Sequence, residues 1–89
     1  MSMYGANPDE LASLGNTLTR QIDAITQVMG LVDAALNGTT WQGPARERFA
    51  AEWSGSFKQA LGKLNEAFGL AGKDCVVRAD ELRRVMGAG

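Results

Sequence analysis

Few residues here could do chemistry, and their types and spacing decide against most of it. The 89-residue chain has no histidine and one cysteine, Cys75. It therefore lacks the commonest general base and the commonest metal-ligating side chain. One thiol alone makes neither a zinc site nor an internal disulfide. Ser13, Ser54 and Ser56 have no base partner to activate them, and no glycine-rich phosphate loop occurs. The carboxylate neighbours Asp9-Glu10 and Asp80-Glu81 point to different faces of a helix and read as solvated surface. A helical bundle of this size also offers little concave volume for a substrate. The expectation is a non-enzymatic protein with no cofactor, no metal and no catalytic residue.

Charge narrows the partners. Nine basic and ten acidic residues give a net charge of -1, and the basic ones form no patch. Arg78, Arg83 and Arg84 are offset by Asp74, Asp80 and Glu81 on the same segment, which argues against nucleic acid. No apolar run approaches the roughly 20 residues of a membrane-spanning helix. A lipid-surface role is disfavoured because the polar faces are not rich in Lys and Arg. Met1 to Asn7 has neither a basic nor an apolar leader region, so an ordinary cleavable signal peptide is not expected.

The elements that would position these residues are two helices. Asn7 is suited to an N-cap, Pro8 to the first helical position, and Glu10 to closing a capping box. Leu11, Leu14, Leu18, Ile22, Ile25, Met29, Val32 and Leu36 then recur at steps of three and four, and Asn37-Gly38 reads as a C-terminal cap. The second helix starts at Pro44 with Gly43 as its cap. Its stripe is Ala45, Phe49, Trp53, Phe57, Leu61, Leu64, Phe68, Ala71, Cys75, Ala79, Leu82 and Met86. The expected layout is one domain over 1–89: a helix over about 8–37, a turn at 38–43 and an uninterrupted helix over about 44–86. Residues 1–6 and 87–89 are expected to be flexible. Such a short connection makes the pair an antiparallel hairpin.

The apolar surface is wider than one helix–helix seam, since Ala24, Val28, Leu31 and Ala35 broaden the first stripe. Each of Phe49, Trp53, Phe57 and Phe68 would bury on the order of 150–250 Å² if covered. The fold class expected is therefore all-α, an antiparallel hairpin that dimerises into a four-helix bundle. The hairpin or dimer core comprises Leu18, Ile25, Met29, Val32, Phe49, Trp53, Phe57, Leu61, Leu64 and Phe68. Gly55, Gly62 and Gly69, spaced by seven, either admit a close helix or are merely small. Cys75 reads as a small buried hydrophobe, with an intermolecular bridge or redox role as the alternative. Leu70, Val76 and Val77 are either scattered surface residues or a docking patch.

Trp41-Gln42-Gly43 lies in the polar gap between the helices. A helix, a Trp-x-Gly turn and a second helix in a chain of this length resemble the WXG family of small proteins exported by type VII secretion systems. The resemblance covers nearly the whole chain and implies a hairpin that pairs, with itself or with a paralogous WXG-family protein. It implies export from a Gram-positive bacterium by an ATPase-driven type VII apparatus. The protein would be cytoplasmic before export and then secreted or in the cell envelope, in a virulence-associated setting. It further implies that Trp41 and Gly43 form the turn and half of a composite secretion signal, near the partner's C-terminal segment. The other half is a Tyr-x-x-x-Asp/Glu motif. Asp80 matches its acidic position, but Val76 stands where Tyr is expected, and the only tyrosine, Tyr4, is at the other end. Either a partner supplies the tyrosine or a degenerate signal works. A reading in which Trp41 only plugs the end of the bundle stays open.

Overall fold

A computed structural model of the chain describes residues 6–88, and Tyr4 lies outside them. Helix α1 spans Pro8–Gly38. Asn7 opens it in an extended conformation, its Oδ1 accepting the backbone N–H of Asp9 (2.9 Å) and of Glu10 (3.1 Å). These are donors that a helix start would otherwise leave unsatisfied. The far end differs from the expected Asn37-Gly38 cap. Gly38 is still helical, and Thr39 leaves the helix in an extended conformation (φ -103°, ψ 132°).

Gly43 makes the reversal. Its φ of +126° is the only positive value among the described residues, and with ψ 173° it lies in a region that is essentially glycine-only. Pro44 follows as the first residue of α2 (Pro44–Glu52). The second rod is not the uninterrupted α-helix that the stripe suggests. A π-turn, Trp53–Phe57, separates α2 from α3 (Lys58–Ala88). It is closed by the Lys58 N–H donating to Trp53 O, five residues back. Such a turn carries one residue more than an α-turn. Helix α3 then continues through Gly87 and Ala88, past the expected end near Met86.

The two rods run antiparallel, with α1 packed on α3. Their closest approach is a pair of glycines. A Cβ on Gly15 would lie 2.9 Å from Gly72 O and 3.1 Å from Cys75 Cβ, and one on Gly72 would lie 3.2 Å from Gly15 O. The backbones nearly touch there, and Gly15, Gly72, Cys75 and Ala79 are buried around the crossing. Within the hairpin, the glycines spaced by seven admit no comparably close helix. Gly55 and Gly62 face open space, and Gly69 makes only ordinary contact with Ile22 Cδ1 at 3.7 Å.

Lengths are unequal. At about 1.5 Å per residue, α1 is about 46 Å long and the rod from Pro44 to Ala88 about 67 Å. The molecule measures 67 × 19 × 17 Å, so the second rod spans all of it and overhangs α1. At the tip, α2 has backbone contact chiefly with the π-turn that follows it.

Candidate interaction surface

The seam runs to one side of the apolar stripe in both rods. On α1 it uses Gly15, Ile22, Thr26 and Asp33, and on α3 Lys58, Asn65, Gly69, Gly72 and Arg83. Several are polar: Asn65 Nδ2 donates to Thr26 Oγ1 at 3.2 Å, and Arg83 pairs with Asp9 at 2.9 Å. The stripes are displaced from the seam in the same rotational sense. In an antiparallel pair that puts both on one broad side of the molecule.

That side is uncovered. Leu14, Val28 and Leu31 of α1 are exposed, as are Phe57 of the π-turn and Leu64 of α3. Of the expected core, Trp53 alone is buried, at 6 % exposure. Leu18, Ile25, Met29, Val32, Leu61 and Phe68 are half-buried, whereas Phe49, Phe57 and Leu64 are exposed. A large side chain on the stripe has the second rod on one flank only.

The tip carries an open concavity. Leu31, Val32, Ala35 and Leu36 of α1, with Thr39, Trp41 and Phe49, line an open groove of about 330 Å³. Trp41 is 43 % exposed at the end of the hairpin. Its ring leans on Phe49 at 6.5 Å between centroids and a 40° tilt. Phe49 in turn stacks on Trp53 at 6.3 Å and 12°. From Ala24 to Ala45 the sequence holds one charged residue, Asp33, and depletion of charge is what the centre of a protein–protein interface shows.

Asp33 is fully engaged. Its Oδ1 accepts Trp53 Nε1–H at 2.7 Å and its Oδ2 pairs with Lys58 Nζ at 2.9 Å. The Lys58 hydrogen bond, then that from Trp53, holds the carboxyl below its ordinary value of 3.8, helped by the Lys58 charge and opposed by partial desolvation. Sequence reasoning missed both Asp33 and Lys58. Their signal was a lone carboxylate in an otherwise uncharged stretch.

The remaining candidate residues fall elsewhere. Val76 turns toward α1, its Cγ2 3.1 Å from where a Gly15 Cβ would be, although it stays 40 % exposed. Asp80, one turn on, is exposed and sits 3.6 Å from Arg83. Leu70 and Val77 are exposed seven residues apart, on a face of α3 directed away from the seam. Cys75 is a buried free thiol. The described residues hold no cluster of His, Cys, Asp and Glu able to bind a metal, and no helix long and apolar enough to cross a membrane. No protein-family model, curated protein or solved structure matches the chain, so the WXG resemblance rests on the residues of the hinge and the helices around it.

Proposed function

We propose that this hairpin is half of a working unit: a non-enzymatic interaction protein whose apolar side packs on a second hairpin to complete a four-helix bundle. What carries the reading is surface. The chain exposes 6529 Å², where a compact monomer of 9.5 kDa would expose about 5,000 Å². Its radius of gyration is 19.4 Å, against about 12 Å for a compact chain of this length. The excess of well over 1,000 Å² is the scale of area that stable partners hide. At about 25 cal/mol per Å², covering the apolar part of it gives a gross gain from which the cost of association, about 4–15 kcal/mol, must be subtracted.

The Trp41-Gln42-Gly43 hinge between two helices supports the narrower reading, in which the dimer is of the WXG kind and leaves the cell through a type VII system. The partner is a second copy or a paralogous hairpin, and the motor is the export ATPase. Val76 at the position of the expected tyrosine favours a variant reading: this chain is a cytosolic adaptor that pairs with a larger type VII effector. Comparing culture supernatants with and without the export ATPase separates the two. Export predicts ATPase-dependent release of this chain. The adaptor reading predicts retention of this chain with a co-purifying larger partner, and release that ignores the ATPase defeats both.

A further inference from the structure

The π-turn lies where the tip groove meets the body of the hairpin, and its surplus residue sets how α2 is turned about its own axis. Residues five apart on an α-helix diverge by about 140°. Trp53 and Lys58 are five apart, yet both reach one carboxylate, at 2.7 and 2.9 Å. The additional residue also turns α2 by about 100° relative to its direction in an unbroken helix. In the observed setting Trp53 is buried and Phe49 stands over Leu31, Val32 and Leu36. In the unbroken setting Trp53 would leave Asp33 and Phe49 would swing off the groove.

The turn's own residues add little to the hold that Asp33 and the packing of Trp53 and Phe49 provide. Its middle residues Ser54, Gly55 and Ser56 are exposed weak helix formers, and a Cβ on Gly55 would meet nothing within 4 Å. The α1–α3 seam does not include α2, so a rotation of α2 would give up the placement of Phe49 at the groove and leave that seam in place. We propose that Trp53–Phe57 is a two-state register element, latched in its wide form by Asp33, and that this register decides whether the tip presents its aromatic groove to a partner. Two discrete packings of one element are the usual basis of such a switch. The partner half of this rests on the proposed docking of a second hairpin. The register half concerns the hairpin alone.

The test uses Trp41→Phe as an optical background, leaving Trp53 as the sole indole, and reads acrylamide quenching. Asp33→Ala is expected to raise the quenching constant several-fold with helical content retained. Deleting Gly55 removes the surplus residue and fixes α2 in its observed phase on an unbroken helix, so the double variant is expected to stay as shielded as the parent. An Asp33→Ala protein whose Trp53 remains shielded, or a Gly55 deletion that by itself exposes Trp53, overturns the register element. Sedimentation of the same variants with Trp41 restored judges the groove. Pairing weakened by Asp33→Ala and recovered on deleting Gly55 supports the link, and equal pairing throughout overturns it. Failure of the parent itself to pair, alone or with a hairpin partner, overturns the docking of a second hairpin and that link with it, while the quenching result still decides the register element.

Discussion

Gly15 and Gly30 occupy the same helix and share the same intrinsic cost, so replacing each by Ala isolates what tertiary contact adds. Glycine in a helix interior is worth about 1 kcal/mol less than alanine. At Gly30 a new Cβ meets nothing within 4 Å, so Gly30→Ala is expected to stabilise by about that amount. At Gly15 the Cβ would stand 2.9 Å from the Gly72 carbonyl oxygen, 3.1 Å from Cys75 Cβ and 3.1 Å from Val76 Cγ2. Two of these neighbours are backbone or the root of a side chain, and cannot swing away. The helices must separate by some tenths of an ångström along the tightest part of the seam. Overpacking of this kind costs about 1–3 kcal/mol, the upper part of which exceeds the propensity gain. The two alanine variants should therefore differ by about 1–3 kcal/mol, and at about 4–8 °C per kcal/mol their melting temperatures should separate clearly. Thermal unfolding by circular dichroism at one fixed protein concentration reads this directly, since association shifts the midpoint. Gly15→Ala matching Gly30→Ala would refute the glycine crossing.

Other expectations are simpler. Gly43→Ala forces a Cβ onto a backbone at φ +126° and should cost about 1–3 kcal/mol in the same assay, whereas Gly62→Ala, facing open space, should not destabilise. Asp33 titrates below its ordinary 3.8 because Lys58 and Trp53 hydrogen-bond its charged form. Its stabilising contribution is thus whole above that ordinary value and fades as pH falls through the lower folded one. Urea titrations of the parent and Asp33→Asn should accordingly differ at pH 6 and converge in strong acid. Cys75, buried beside the crossing, should react with a thiol reagent only at the rate of opening, with full labelling in urea. Rapid labelling of the folded protein would show that the crossing is loose.

Much of this architecture is written in local patterns. Asn7, Pro8, Gly43 and Pro44 act through their own backbone preferences, so the beginnings of both rods were legible. The π-turn was missed, because the stripe reads as one continuous helix unless its spacing is followed closely. Ala45, Phe49, Trp53, Phe57 and Leu61 follow one another by four, and each such step overshoots a full α-helical turn by about 40°. No regular α-helix keeps all five on one side, and a surplus residue in one turn absorbs the drift. The Gly15–Gly72 contact was not legible, because it depends on how far one helix slides along the other. Asp33 was hidden for a related reason: its partners Trp53 and Lys58 lie 20 and 25 residues away and reach it only across the hairpin. The groove joins the end of α1, the loop and α2, and no single segment announces it.

Sedimentation equilibrium of the purified chain, with helical content followed over the same dilution series, tests the central claim most directly. Pairing predicts a species of twice the 9.5 kDa chain mass, or one completed by a hairpin partner, with helicity lost as dilution separates the halves. A fully helical particle of a single chain's mass, unchanged on dilution and indifferent to any hairpin partner, would contradict it.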